Sequence, residues 1–130
     1  MADEEVFPGF WHPNNSEGFS KMPHELIDRL DKIESLSELK VILYIMRHTW
    51  GFQEFERGKK ITTDEFMHGR KRADGSRMDN GTGLSDWGVK DGIAKAIKHG
   101  YVLCETDTKD KARIKKYYKI NIYIDPKEPR

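Results

Sequence analysis

The sequence has a single cysteine, Cys104, which excludes an internal disulfide framework and fits a reducing, cytoplasmic setting. With Val102 and Leu103 beside it, that thiol reads as strand packing rather than a nucleophile. No run approaches the roughly eighteen apolar residues of a membrane span, and the opening "MADEEVFPG" is acidic where a secretory leader is basic. Neither charge dominates: 23 Lys+Arg meet 22 Asp+Glu, a net charge of +1. The spacings that carry catalysis or metal binding are missing too. His12, His24, His48, His68, His99 and Cys104 show no zinc-ligand pattern. "ADGSRMDNGTG" lacks the alternating acidic ligands and closing glutamate of a calcium loop. "GTGLSDWG" has no lysine in the phosphate-binding position of a nucleotide loop. With no Ser–His–Asp or paired-carboxylate arrangement, a binding protein is expected rather than an enzyme, with no cofactor and no metal.

What is present is one domain's worth of chain. In 130 residues, 36% are hydrophobic and 35% charged, which predicts one modest core under a heavily charged surface. The charge is unevenly placed. Residues 1–56 hold 5 Lys+Arg against 11 Asp+Glu, or −6; residues 57–130 hold 18 against 11, or +7. An acidic half followed by a basic one points to a polyanionic partner, although a merely solvated surface explains the charge equally well.

Residues 1–21, with Pro8, Gly9, Pro13 and Gly18 among Phe7, Phe10, Trp11 and Phe19, read as an extended arm that packs on its own domain or on a second copy. Residues 22–124 form the expected domain, and 125–130 a frayed tail. Pro23 suits a first helical position, and Leu26, Ile27, Leu30 and Ile33 follow at helical spacing. In "SLSELKVILYIMRHTWGF", Ser35 or Ser37 can cap. Leu39, Ile42, Leu43, Met46 and Trp50 make one stripe, and Val41, Tyr44 and Ile45 fill the other side. This helix is therefore the expected centre of the core, with Gly51 ending it. A very short strand near Ile61, a short helix in "TTDEFMHG", a basic glycine-rich loop over residues 70–83, and a helix from about Ser85 to His99 come next. "YVLCETDT" and "KKYYKINIYI" then alternate as strands, with Tyr118, Ile120, Ile122 and Ile124 on one face. Three or four helices closed by a two- or three-stranded hairpin make a mainly α chain with a small β-hairpin, the winged helix-turn-helix.

In that fold the second helix of the motif lies in the major groove of DNA. On the helix 85–99, Val89, Ile93, Ala96 and Ile97 should face the core. Trp87, Asp91, Ala94, Lys95 and Lys98 fall opposite, with Lys90 at the margin. Lys90 suits guanine, Asp91 a cytosine amine, and Lys95 and Lys98 suit phosphates. Trp87 either meets a thymine methyl or sugar, or packs on the preceding loop or a partner; Asp91 either reads a base or pairs with Lys95. Gly88 and Gly92 each cost about 1 kcal/mol against alanine in a helix, which predicts a close approach, by helix 63–68 or by DNA. The connection before this helix is about four times the usual three or four residues. Its Arg70, Lys71, Arg72 and Arg77 suit a phosphate backbone, with an unstructured surface loop as the alternative. The hairpin turn and its flanks carry Lys109, Lys111, Arg113, Lys115, Lys116 and Lys119 against Asp110, and Arg113 suits a narrow minor groove.

"FPGFWHPNNSEGFSKMPHELIDRL", "LSELKVILYIMRHTWGF" and "TGLS…GYV" together resemble the N-terminal domain of phage replication protein O and related prophage replisome organisers. The most specific part is "ELKVILYIMRHTWGF", residues 38–52. The resemblance implies an origin-binding domain on double-stranded DNA within a helicase-loading pathway, with a replicative helicase or helicase loader as a further partner. Pairing with a second copy is expected through the aromatic arm. The family's recognition-helix positions fall on Ser85, Asp86, Trp87, Lys90 and Asp91. Two departures stand out: Asp86 and Trp87 replace the usual basic residues, and residues 69–83 are an insertion. A transcriptional regulator on the same fold, or a winged helix that joins a primosome without touching DNA, is the rival expectation.

Overall fold

A computed structural model describes residues 6–14 and 18–123 of the chain. Among them are four α-helices, α1 (His24–Asp28), α2 (Leu36–Thr49), α3 (Thr63–His68) and α4 (Asp86–Lys98). Three strands accompany them, β1 (Lys59–Lys60), β2 (Val102–Asp107) and β3 (Lys115–Ile120). The strands form one antiparallel sheet in the order β1-β3-β2. Helices dominate, and no helix among the described residues is long and apolar enough to cross a membrane.

α2 starts where Ser35 Oγ accepts from the Glu38 amide at 3.3 Å, which satisfies one of the amides that a helix start leaves unbonded. Val41, Ile42, Tyr44, Ile45 and Met46 are all buried, so more than one face of the helix meets protein and the helix is central. Each such burial contributes about 1.5–3 kcal/mol. Leu43 on the same helix is exposed. The helix gives way at Thr49 to a 3-10 turn, Trp50–Phe52, and Gln53 takes the left-handed conformation at φ 60°. Gly51 thus lies inside this turn rather than ending the helix.

α1 is shorter than its apolar spacing predicts. Pro23 stands at the N-cap in extended conformation, not at the first helical position, and the chain tightens into a 3-10 turn at Leu30–Lys32. Leu26 and Ile33 reach the core, whereas Ile27 and Leu30 are exposed. α3 begins in a capping box, with Thr62 Oγ1 accepting from the Glu65 amide at 3.1 Å and the Glu65 carboxylate accepting from the Thr62 amide at 2.9 Å. That reciprocal pair stabilises a helix of only six residues.

β2 and β3 are in register with Val102 opposite Ile120 and Cys104 opposite Tyr118. This alternation brings Val102, Tyr118 and Ile120 inward as buried residues, with Cys104 packed against the core. Burial pushes the Tyr118 hydroxyl up to about 12, with Cys104 beside it acting in the same sense. β3 ends at Ile120, earlier than the alternating pattern suggests; Ile122 is half-buried beyond it, and Ile124 lies outside the described residues.

α4 packs against α2, and Gly92 makes the close contact between them. A Cβ there would lie 2.5 Å from the Ser37 carbonyl oxygen and 2.9 Å from Val41 Cγ2. The approach is therefore to α2, not to α3 or to a ligand. The same two helices are joined by a buried carboxylate: Glu38 is 1% exposed and its Oε2 lies 2.7 Å from His99 Nδ1 at the end of α4. The described part of the arm, residues 6–14 and 18–21, has no regular structure. Phe7, Phe10 and Trp11 are exposed, with the Phe7 and Phe10 rings tilted against each other at 4.7 Å between centroids, so these three rings are not packed on the domain. The remaining arm residues 1–5 and 15–17, and the tail 125–130, lie outside the described residues.

Candidate nucleic-acid interface

α4 presents its outer surface beside the β2–β3 hairpin, and an open cleft of about 470 Å³ runs between them. Lys60, Lys90, Lys115 and Lys116 line this cleft, with no aspartate or glutamate among the lining residues. Ile93, Ala94, Ile97 and Ile114 supply its apolar floor. The expected inward position of Ile97 is corrected: it is 41% exposed, because Val89, Gly92 and Ala96 already fill the contact with α2 and the hairpin stands off from the last turn.

Most polar side chains of α4 are engaged locally. Ser85 Oγ caps the helix by accepting from the Gly88 amide at 3.1 Å. Lys90 Nζ lies 2.9 Å from Asp86 and Lys95 Nζ 2.9 Å from Asp91, both at i,i+4 spacing. Lys90 and Asp91, expected to read guanine and cytosine, each hold an intramolecular partner. Such exposed pairs are weak, at about 0.3–0.5 kcal/mol each, so a stronger ligand can displace them. Lys98 is exposed and has no ion pair among the described residues. Trp87 is 72% exposed, which answers the question of whether the preceding loop covers it: it does not.

On the hairpin, Lys111, Arg113, Lys115 and Lys116 are all exposed. Asp107 and Asp110 accept from the amides of Lys109 and Ala112, each at 3.0 Å, and thereby shape the turn. These two carboxylates brace backbone while the cations project from the same segment.

The loop 69–83 is a built structure rather than an irregular strap. Lys71 and Arg77 form an antiparallel bridge. The Thr82 amide donates to the Phe66 carbonyl at 2.7 Å, and Lys40 donates to the Thr82 carbonyl at 3.1 Å. At its centre Asp79 accepts from the Tyr44 hydroxyl at 3.0 Å and from the Gly81 amide at 2.8 Å, and its other oxygen lies 2.8 Å from His48 Nε2. His48 is fully buried. Burial lowers its pKa, against the opposing pull of Asp79. Burial works against the Asp79 carboxylate as well, but the Gly81 amide, Tyr44 and His48 outweigh it and hold Asp79 below the usual carboxylate value. Desolvation and the Asp79 contact raise the Tyr44 hydroxyl well above its ordinary value.

The arginines of this loop therefore have different work from the phosphate contacts expected of them. Arg77 donates to the Gly69 carbonyl and pairs with Asp64 at 3.2 Å. Arg72 donates to the Arg77 carbonyl at 3.0 Å. Arg70 donates to the Lys60 carbonyl at 3.3 Å and lies 3.7 Å from Glu65. Lys71 alone of the four expected cations projects outward without such a contact. The Asp79 hub was missed by reading the sequence because its partners lie 31 and 35 residues away. Compared with protein-family models, curated proteins and solved structures, the chain matches none.

Proposed function

We propose that this chain is a winged helix-turn-helix domain that binds double-stranded DNA, with α3 and α4 as the helix-turn-helix and the β2–β3 hairpin as the wing. The observation that carries the reading is the cleft between α4 and the hairpin, where four lysines stand without a carboxylate in the lining. A phosphate backbone seated beside α4 would meet Lys90 on the α4 wall and Lys60, Lys115 and Lys116 on the wall formed by the sheet. Lys111 and Arg113 extend the same positive surface along the hairpin, and Lys98 extends it along α4. Within DNA-binding proteins, the resemblance of residues 38–52 to phage replication protein O favours an origin-binding role, with a replicative helicase or its loader as the protein partner.

Duplex binding is measured by fluorescence anisotropy at two salt concentrations. If four lysines each neutralise one phosphate, affinity falls about 150-fold between roughly 50 and 200 mM salt, from a log–log slope near −3.6. Absence of binding at the lower salt overturns the reading. That result would favour a protein-interaction role instead, for which the exposed Trp87 flanked by Asp86 and Asp91 is the supporting observation. Location of the preferred site inside an A·T-rich repeat array, rather than at a promoter, separates replication from regulation.

A further inference from the structure

One line of side chains on α4 is left unexplained by phosphate binding. Trp87, Lys90, Ala94 and Ile97 follow i, i+3, i+7, i+10 and so share a ridge along the helix. Trp87 is 72% and Ile97 41% exposed, and Ala94 is exposed between them. Lys90, the one polar member, has Asp86 at 2.9 Å. The helix "DWGVKDGIAKAIK" contains no arginine, asparagine or glutamine, the planar side chains that grip guanine or adenine edges at two points. Each of Lys90 and Lys95 also has a carboxylate four residues earlier competing for it. The surface that α4 offers to a groove is thus apolar along its ridge and cationic at its side, where Lys60, Lys115 and Lys116 stand.

In the major groove the four bases present hydrogen-bonding atoms, with one apolar group among them, the thymine C5-methyl. We infer that α4 reads duplex DNA through thymine methyl groups contacted by Trp87, Ala94 and Ile97, with the lysines of the cleft holding the adjacent phosphates. This rests on the duplex-binding reading above and adds to it the chemical feature that is recognised. A protein partner would suit the apolar ridge equally; the carboxylate-free lysine lining beside it favours a polyanion carrying apolar groups.

The test compares alternating poly(dA–dT) with poly(dA–dU), which differ only by the methyl group. A second arm compares poly(dG–dC) with its 5-methylcytosine form, which restores a methyl at the same groove position. Each methyl buried by the protein is expected to raise affinity about fourfold, so both methylated polymers bind more tightly. Trp87→Ser and Ile97→Ser, at exposed positions, bring the thymine-to-uracil ratio toward one while keeping the steep salt dependence that the lysines set. Equal affinity for thymine and uracil polymers, with steep salt dependence retained, overturns the methyl reading and leaves duplex binding standing. A methyl preference that survives both substitutions overturns the assignment to this ridge. Failure to bind any of the polymers at low salt overturns both readings together.

Discussion

Replacing Gly92 by alanine should destabilise the protein, although alanine is the better helix former. The added methyl would sit 2.5 Å from the Ser37 carbonyl oxygen, 2.8 Å from the Ser37 carbonyl carbon and 2.9 Å from Val41 Cγ2. Carbon atoms in contact prefer about 3.5–4.0 Å, so α2 and α4 must separate by on the order of 0.7 Å. The Ser37 atoms are backbone in the first turn of a helix and cannot rotate away. Overpacking of this kind costs roughly 1–3 kcal/mol, and a backbone clash belongs at the upper end. Alanine returns about 1 kcal/mol of helix propensity, which leaves a net loss of about 2 kcal/mol. For a domain near 100 residues that lowers Tm by on the order of 10 °C. Gly88→Ala is the internal control. Its Cβ would meet Leu84 Cβ and Ser85 Oγ at 3.3 Å, contacts that a shift of a few tenths of an ångström at the start of α4 relieves without moving α2. There the propensity gain of about 1 kcal/mol should prevail and Tm should rise by a few degrees. Thermal unfolding followed by circular dichroism gives both values. A Gly92→Ala protein as stable as the parent would refute the close α2–α4 contact and the energetic argument built on it.

Three further outcomes concern the loop hub, one of its arginines and the cleft. His48 has a lowered pKa in the folded state, so below the ordinary value of about 6.5 the unfolded chain binds more protons and stability falls as pH drops. Asp79, held below its usual value, adds a second loss beneath about pH 4. Urea unfolding across this range should show the decline, at most about 1.4 kcal/mol per pH unit for one proton, and stability that rises on acidification would contradict it. Arg77→Ala leaves the Gly69 carbonyl and Asp64 without their donor; it should lower stability by about 1 kcal/mol and leave the salt dependence of duplex binding intact. Lys116→Ala should do the reverse, reducing the salt slope by about 1 at unchanged Tm, and identical behaviour of the two variants would mean that the loop and the cleft have been assigned the wrong roles.

The helices and the hairpin were legible because their signals are local. Ser35, Thr62 and Ser85 cap as hydroxyl side chains before apolar periodicity should, and the alternation around Tyr118 and Ile120 marks the strand that pairs with both neighbours. The cations of the hairpin were equally readable, since a turn braced by its own aspartates has little choice but to project them. Other features depend on partners distant in the chain. Glu38 and His99 are 61 residues apart, and nothing in either neighbourhood predicts a buried carboxylate meeting a helix end. Periodicity groups Ile97 with Val89 and Ala96, but whether that flank is covered depends on where the hairpin stands, and the cleft leaves Ile97 open. Composition made the loop 69–83 a basic strap; Asp79, Tyr44 and His48 fold it into a fixed element and turn Arg70, Arg72 and Arg77 to internal use. Residue order by itself thus determined which segments coil, which alternate and which carry charge, because those depend on neighbours within one or two turns. Only the tertiary structure decided which charges remain open to a ligand, because that is settled by side chains brought together from tens of residues away.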